Sequence, residues 1–328
     1  MKIGFLGFGN MAQAMAKGLL LTESVAPQDI YACAKDWEKL CRNTQPSGMV
    51  PCHSAEEMIE QVDLVVIAIK PYMIPKVVPA LHDLLTDKII ISVAAGYTYD
   101  KFNELMGDDL HVLCTIPNTP ISVGEGIIVC EQTHSLTADE FAAFEKLFSK
   151  SALIQPVESH LLSVAGTVAG CSPAFISMFL EALGDAGVKH GLPRALAYRL
   201  AGQALCGTGK MHVETGAHPG AMKDAVCSPG GTTIKGVSAL EHHGFRSAVI
   251  DAIDAIEGKR ILPTGEIGSG PEAARSSRVG WPVQVEPGRP SQRAKSPFDS
   301  GQRPESTKIK KKAHPTARRP LSLFSRRA

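Results

Sequence analysis

The chain has 328 residues, of which 44% are hydrophobic and 20% charged, so it can bury the cores of two domains and has the composition of a soluble globular protein. Its formal net charge of +1 conceals two unlike parts, because residues 1–258 contain 18 Lys and Arg against 28 Asp and Glu, whereas residues 259–328 contain 16 against 5. Eight scattered cysteines lack C-x-x-C spacing and no run reaches the roughly 20 apolar residues of a membrane span, so we expect no metal site and no membrane contact.

The first predicted elements are a strand and a helix joined by glycines. The apolar run Ile3–Leu6 leads into Gly7 and Gly9, and apolar residues then recur at helical spacing over residues 11–19. The G-x-G-x-x-A spacing, with Ala12 as its last residue, either forms a tight turn or places a diphosphate at the helix N-terminus; the strand before it and the helix after it favour nucleotide binding. Because this strand directly follows Met1-Lys2, no signal peptide fits before it, and we expect a cytoplasmic protein.

Strand and helix patterns alternate as far as residue 157. The predicted strands are residues 29–34, 63–69, 88–95, 111–116, 126–132 and 152–157, and the predicted helices are residues 36–42, 54–61, 73–85, 99–106 and 137–149. Runs such as LVVIAI and IIISVAA are typical of strands buried on both faces of a parallel sheet. The alternation predicts an α/β fold, with a doubly wound, mostly parallel, Rossmann-type sheet over residues 1–157 as the dinucleotide-binding domain and the last two strands at an edge.

Over residues 158–258 the sequence pattern predicts helices and no strands. Predicted helices span residues 173–190, 193–215, 220–226, 232–243 and 245–257, and several are apolar on more than one face. Such helices must be buried, and so short a segment cannot bury them alone. We therefore predict an all-helical dimerisation and substrate domain, and a homodimer.

The last segment, residues 259–328, is basic and rich in Pro and Ser, without sustained periodicity. It lacks the apolar surface needed to offset the entropy of ordering, so we predict a disordered tail. Its basic residues form no amphipathic stripe and no aromatic pattern accompanies them, so we expect no specific nucleic-acid partner.

Six motifs in this order resemble the pyrroline-5-carboxylate reductase family over roughly residues 2–257. They are GFGNMA (7–12), AIKP (68–71), SVAAG (92–96), IPNTP (116–120), DAGVKHGLP (185–193) and SPGGTT (228–233). The resemblance implies an oxidoreductase of proline biosynthesis that reduces the cyclic imine 1-pyrroline-5-carboxylate to L-proline with NADPH. It also implies a dimer with interlocked helical domains, in some members assembled into a ring of dimers.

The cofactor should lie along the carboxyl edge of the predicted sheet, where strands of such folds end. Lys35 follows the second strand, and its positive charge suits the 2′-phosphate of NADPH. Asp36 comes next, and its carboxylate means that NADH is also possible as the cofactor. The residues expected to bind the cofactor are Leu6, Gly7, Phe8, Gly9, Asn10, Met11, Ala12, Lys35, Ala68, Ile69, Lys70, Pro71, Ala94, Ala95 and Asn118.

The loop CSPGGTTIKG is the second chemical feature, and by itself it could be a Pro-Gly turn with threonine caps. As a site, its backbone N–H groups would bind the carboxylate of a small anion, and the expected substrate-binding residues are Ser228, Gly230, Gly231, Thr232 and Thr233. Thr233 is the expected catalytic residue, since its hydroxyl would hydrogen-bond the ring nitrogen and supply or relay a proton. Hydride transfer to an imine needs orientation and protonation but no metal.

Three departures from the family pattern leave other functions open. Cys114 stands where the family usually has arginine, Ser172 replaces a glycine, and an asparagine expected near Ser54 is absent. The alternatives are a non-catalytic nucleotide-binding paralogue with a regulatory role and a dehydrogenase or reductase of another small imino or hydroxy acid. A hydroxy-acid dehydrogenase would need a lysine or histidine as proton donor, and residues 165–173 contain no lysine.

Overall fold

The computed structural model describes residues 1–261 and 267–269. Its strands are β1 Ile3–Leu6, β2 Ile30–Cys33, β3 Val50–Cys52, β4 Leu64–Ile67, β5 Ile89–Ser92, β6 His111–Pro117, β7 Gly126–Glu131, β8 Ala152–Val157, β9 Lys259–Ile261 and β10 Ile267–Ser269. Its α-helices are α1 Asn10–Leu21, α2 Trp37–Thr44, α3 Ala55–Ile59, α4 Ile74–Val77, α5 His82–Leu85, α6 Tyr99–Met106, α7 Ala138–Phe148, α8 Leu162–Lys189, α9 Arg194–Thr215, α10 Pro219–Ala225, α11 Thr232–His242 and α12 Phe245–Glu257.

The first eight strands form one sheet in the order β3-β2-β1-β4-β5-β6-β7-β8. All pairs are parallel except β6 with β7. Ile3 of β1 pairs with Ile30 of β2 on one side and with Leu64 of β4 on the other, so the strand order reverses beside β1. Ligands of doubly wound sheets bind at the carboxyl edge of such a switch point. The predicted Rossmann-type fold is confirmed.

The apolar runs explain why the sheet forms. Strands β1, β4 and β5 are buried along their whole length, as expected for strands covered by helices on both faces. Phe5 of β1 packs in one layer with Leu19 of α1, and Ile67 of β4 packs in the other layer with Phe102 of α6. The alternation of side chains along each strand thus divides the core between the two faces.

Prolines account for the main differences in the first 157 residues. Strand β3 is missing from the predicted elements, because it is three residues long and contains Pro51, which is tolerated at a sheet edge. The helix predicted over residues 73–85 is wrong as a single element, since Pro75 and Pro79 divide it into α4, a 3₁₀ turn and α5. Strand β7 also lies inside the sheet and not at its edge, because it pairs with both β6 and β8.

Helices alone follow the sheet, and α8 begins well before the predicted start at Pro173. It runs for 28 residues with Pro173 inside it. A proline donates no backbone hydrogen bond and leaves the carbonyl four residues earlier, that of Ala169, without its helical donor. The Asn118 side chain fills this position, because its Nδ2 donates to the Ala169 oxygen at 3.1 Å. The helix is thereby continuous and tied to the end of β6.

Large apolar side chains cover the outer faces of these helices. Those exposed on α8, α9, α11 and α12 are Val168, Ile176, Met178, Leu183, Leu200, Met211, Val213, Leu240, Phe245, Val249, Ile250 and Ile256. By length and composition the helical stretch Ser159–Lys189 is also apolar enough to cross a membrane, contrary to the expectation from the sequence, and only 22% of its most apolar window is buried. An apolar patch of this size marks an interaction surface.

The segment predicted to be disordered begins with regular structure. Gly258 ends α12 in the left-handed conformation (φ 70°), and β9 then pairs antiparallel with β10, Ile261 opposite Ile267. Six residues of the predicted tail therefore belong to two short antiparallel strands. The rest of the predicted tail lies outside the described residues.

Candidate cofactor and substrate site

The glycine turn between β1 and α1 forms the centre of the candidate site. Gly7 has φ of 93°, and a Cβ there would lie 2.9 Å from the Ala68 carbonyl oxygen, so the backbone conformation and the close packing both require glycine. A Cβ at Gly9, in contrast, would have no atom of the described residues within 4 Å. Gly9 is the N-cap of α1 and has no side chain to bond the first N–H groups of the helix. Open space in front of these groups fits a diphosphate.

A cleft of about 520 Å³ lies at this carboxyl edge. Nine of the predicted cofactor residues line it: Gly9, Asn10, Met11, Ala68, Ile69, Lys70, Pro71, Ala94 and Ala95. Val93 and Thr119 also line the cleft and were not among the predicted residues. Each directly neighbours a predicted residue, so adjacency along the chain was the signal that could have found them.

Three predicted cofactor residues have their side chains in the core. Leu6, Phe8 and Ala12 are at most 5% exposed. They support the glycine turn from below, since Phe5 and Phe8 make an edge-to-face ring contact and Ala12 lets α1 approach the sheet. None of the three lines the cleft, so their part in binding the cofactor stays a prediction.

Lys35 is exposed in the bend between β2 and α2, outside the residues that line the cleft. The neighbouring carboxylate of Asp36 has a structural task, because its Oδ1 accepts the backbone N–H of Lys39 at 3.0 Å and caps α2. Among these two side chains, the cation is therefore the one that remains available at the end of β2.

The Asn118 side chain has a structural role. Its Oδ1 accepts the Ile127 N–H at 2.9 Å, and its Nδ2 donates to the Ala169 oxygen described above. The residue is 4% exposed and lies outside the lining of the cleft. Its amide group joins β6, β7 and α8, which leaves the adjacent Thr119 facing the cleft.

A second cleft of about 670 Å³ adjoins the first and shares Met11, Val93 and Ala95 with it. The sheet edge forms one wall, through residues 95–98, Ile116 and Pro117, and helix α8 forms the opposite wall. Glu257 at the end of α12 also lines this cleft, and the sequence analysis did not single it out. A small molecule in the second cleft would lie beside the part of the cofactor bound near residues 93–95.

The predicted substrate loop lies elsewhere on the described chain. Gly230 has φ of 68° and Gly231 is the N-cap of α11, so the loop has the glycine geometry expected of it. Ser228, Gly230, Thr232 and Thr233 lie outside the core, and within one chain none of the loop residues lines either cleft. One copy of the chain thus does not bring Thr233 to the cofactor site.

The cysteine that replaces the family's arginine is buried beside a carboxylate. Burial first, and then the nearby Glu131 carboxylate, raise the pKa of the Cys114 thiol. Glu131 itself is 1% exposed, and its Oε2 accepts the Tyr99 N–H at 2.7 Å at the start of α6. Cys114 is therefore a neutral core residue and no substitute for a cationic side chain.

His218 has a structural role at the start of a short helix. The His218 Nδ1 accepts the Gly220 N–H at 3.1 Å and caps α10.

Comparison with known proteins assigns both parts of the chain. The family described as pyrroline-5-carboxylate reductase dimerisation matches residues 159–260, and that described as NADP oxidoreductase, coenzyme F420-dependent, matches residues 2–96. Curated pyrroline-5-carboxylate reductases of Treponema pallidum and Escherichia coli are 40% and 38% identical to it, over 78% and 77% of this chain and 98% and 94% of those proteins.

Solved structures agree. A pyrroline carboxylate reductase of Plasmodium falciparum with NADP bound has a TM-score of 0.71 at 28% identity, covering 78% of this chain and 95% of that one. The enzyme from Streptococcus pyogenes has a TM-score of 0.68 at 31% identity and covers 78% and 96%. The resemblance seen in the six motifs is confirmed, and the chain belongs to the pyrroline-5-carboxylate reductase family.

Proposed function

We propose that this protein reduces 1-pyrroline-5-carboxylate to L-proline with NADPH, as an oxidoreductase of proline biosynthesis. The observation that carries this proposal is the pair of adjoining clefts: the first ends at the open face of Gly9, and the second begins at Met11, Val93 and Ala95. Relatives named for this activity match nearly their whole length.

The residues of the first cleft suit a dinucleotide. Main-chain N–H groups at the start of α1 would hold the diphosphate, and the small side chains of Ala94 and Ala95 leave room for the nicotinamide ribose. When bound, NADPH supplies the hydride. The chain contributes orientation, because the walls of the second cleft hold a small ring against residues 93–95 and limit its contact with water.

Lys35 supports a preference for NADPH over NADH. It lies just after β2, at the position where this fold recognises the ribose 2′ group, and Asp36 is engaged in capping α2. A cation there would attract the 2′-phosphate, and the family match to an NADP oxidoreductase agrees with this assignment.

A second copy of the chain would complete the site. The apolar faces of α8, α9, α11 and α12 are exposed in one chain, and the matching family is a dimerisation domain. We attribute the apolar surface of the Ser159–Lys189 stretch to this contact and not to a membrane. In the dimer, the loop of residues 228–233 would reach the partner's second cleft, where its N–H groups bind the substrate carboxylate and Thr233 donates a proton.

Further organisation follows the same reasoning. We propose a dinucleotide-binding domain over residues 1–157 and a dimerisation domain over residues 158–258, because the sheet ends with β8 and α8 begins the helical layer. A cytoplasmic location, assembly of dimers into rings and a tail without a specific nucleic-acid partner remain part of the proposal.

Steady-state oxidation of NADPH by the purified full-length chain tests the function. We expect oxidation that depends on added pyrroline-5-carboxylate and yields one proline per NADPH. A folded protein that binds NADPH without turnover would indicate the non-catalytic paralogue, and turnover confined to another imino or hydroxy acid would replace the substrate.

A further inference from the structure

Glu257 places a carboxylate in the second cleft. It is the last residue of α12, is half-buried, and lines the cleft together with Ile256. Its Oε1 accepts the Thr167 hydroxyl at 2.5 Å, and its Oε2 accepts the Ser163 hydroxyl at 3.3 Å. Both donors belong to α8, so the carboxylate is held at the wall that faces residues 95–98.

The stability of α12 does not explain why its last residue carries a negative charge. A negative charge in the last turn of a helix lies at the negative end of the helix dipole, where it is unfavourable. Thr167 is 7% exposed, so the hydroxyl that bonds Glu257 is itself within the packed interior of the cleft wall. The hydroxyl groups of α8 therefore hold this carboxylate at a position that the dipole of α12 disfavours.

No basic side chain balances this charge among the described residues that line the second cleft. Among the described residues that line the second cleft, the other titratable side chains are Tyr97 and Cys171. Lys101 approaches the same wall from α6, but its Nζ bonds the Gly96 carbonyl oxygen at 2.8 Å and lies 4.8 Å from the centre of the Tyr97 ring. A ligand that brings a positive charge would thus find its counter-charge in Glu257.

We propose that the Glu257 carboxylate binds the positively charged ring nitrogen of the protonated cyclic imine and orients it for hydride transfer. This inference rests on the proposed function. A protonated imine accepts hydride more readily than a neutral one, because the charge on nitrogen withdraws electrons from the imine carbon. A nearby carboxylate favours that charged form.

The step balances with the cofactor already assigned. Hydride from NADPH forms a C–H bond at the imine carbon, the π pair of the C=N bond becomes the nitrogen lone pair, and NADPH is oxidised to NADP⁺. The nitrogen keeps its proton and takes a second one from the proton donor or from water, which gives the ammonium form of the product. Glu257 stays next to the nitrogen throughout and changes no bond.

Glu257 also determines which way the ring lies. The substrate's own carboxylate is repelled by Glu257 and attracted to the N–H groups of residues 228–233, which we placed in the partner's loop. The two ends of the substrate are thereby separated, with the nitrogen toward α8 and α12. The chemical class selected is a small cyclic imine or amine that carries one carboxylate.

Binding of two product-like ligands tests the inference. L-proline carries a charged ring nitrogen, whereas tetrahydrofuran-2-carboxylate has an uncharged ring oxygen in its place. Calorimetric titration of the full-length protein with each, at saturating NADP⁺, compares wild type with Glu257→Gln, which keeps both hydrogen-bond contacts to α8 and removes only the charge. Asp251→Asn, an exposed residue of the same helix, is the matched control.

We expect Glu257→Gln to raise the Kd of proline about tenfold, the usual loss for a charged hydrogen bond, and to change the Kd of the oxygen analogue less than about twofold. The control variant should change neither. Equal changes for both ligands, or no change, would overturn the proposal and leave Glu257 as a structural link between α8 and α12.

A second variant covers the case in which Glu257→Gln unfolds. Thr167→Val keeps the charge but removes the donor that holds it, and should raise the Kd of proline about threefold with no change for the analogue; equal effects on the two ligands would again refute the inference. Turnover of pyrroline-5-carboxylate by the wild-type protein distinguishes failure of the proposed function from failure of the Glu257 inference. If wild type is inactive the proposed function fails, whereas an active wild type with unchanged ligand selectivity in the variants refutes Glu257 alone.

Discussion

Two glycines of one turn have different physical reasons to be glycine. At Gly7 the positive φ and the Ala68 carbonyl 2.9 Å from a would-be Cβ make any side chain costly to the fold. At Gly9 the backbone is extended (φ −80°, ψ −169°) and a Cβ would enter open space, so we expect a side chain there to be compatible with the fold but not with the proposed diphosphate. We therefore expect substitution of Gly7 to affect mainly stability and substitution of Gly9 to affect mainly cofactor binding.

We predict that Gly7→Ala lowers the free energy of unfolding by about 1–3 kcal/mol, the usual cost of a strained backbone position. Gly9→Val should leave the melting temperature nearly unchanged and abolish NADPH binding. Urea denaturation and fluorescence titration with NADPH measure the two effects. A stable Gly9→Val variant that binds NADPH normally would remove the diphosphate from this turn.

Lys35 sets the second residue-scale prediction. Replacing the cation by a carboxylate should reverse its interaction with the 2′-phosphate, so Lys35→Asp should lower the NADPH-to-NADH ratio of kcat/KM about tenfold or more. Lys39→Asp on α2 is the control, since this residue is exposed on the following helix. A ratio that is unaltered in Lys35→Asp would assign the 2′-phosphate to other residues.

Nine of the residues predicted to bind the cofactor line the first cleft, because glycines and small residues at the carboxyl ends of strands leave open space next to the backbone. Sequence reasoning could not tell side chains that line the cleft from those beneath it, as Leu6, Phe8 and Ala12 show. The structural role of the Asn118 amide could not be predicted, because its two hydrogen-bond partners lie 9 and 51 residues away along the chain.

Among the elements, Asn118 and Pro173 form a compensating pair. The proline frees the Ala169 carbonyl, and the asparagine supplies the missing donor. We predict that Asn118→Leu destabilises the protein by about 1–3 kcal/mol in the natural chain, because it leaves this buried carbonyl and the Ile127 N–H unpaired.

The same substitution should cost less in a Pro173→Ala background, where the helix regains its own backbone donor to the Ala169 carbonyl. A double-mutant cycle of unfolding free energies measures the difference. Strict additivity of the two substitutions would show that the Asn118 amide and Pro173 act independently.

The local sequence pattern predicted the bounds of those helices and strands that have clear capping residues and regular hydrophobic periodicity. The helices Tyr99–Met106 and Phe245–Glu257 have the predicted bounds, and the strand Ala152–Val157 does too. Prolines caused two opposite errors in the predicted helices. Two prolines break the predicted helix of residues 73–85, whereas Pro173 lies inside α8 because the distant Asn118 side chain replaces the missing hydrogen bond to the Ala169 carbonyl. Only tertiary contacts distinguish the two cases.

At the scale of the whole molecule, the separation of the loop from the cofactor cleft is the basis for the proposed site shared between two copies. The sequence predicted both the helical dimerisation domain and the loop, but no pattern within one chain says which copy's cleft the loop enters. In the proposed dimer, the exposed apolar faces of α8, α9, α11 and α12 form the contact between the two copies. The proposed assignment makes a prediction about mixtures of inactive variants.

Gly9→Val and Thr233→Ala should each be nearly inactive alone, the second by about 10²-fold or more for a lost proton donor. Mixed dimers should regain activity, because the intact cleft of the Thr233→Ala copy receives the intact loop of the Gly9→Val copy. With random exchange, half of the dimers are mixed and each has one good site, so about a quarter of wild-type activity should return. If the loop acted within its own chain, the mixture would stay inactive.

Transfer of a labelled hydride tests the central claim most directly. With NADPH deuterated at both C4 positions and pyrroline-5-carboxylate as substrate, the wild-type protein should form L-proline that carries one deuterium at C5, which mass spectrometry and proton NMR can locate. Proline without deuterium at that carbon, or oxidation of NADPH without any proline, would contradict the assignment of this chain as a pyrroline-5-carboxylate reductase.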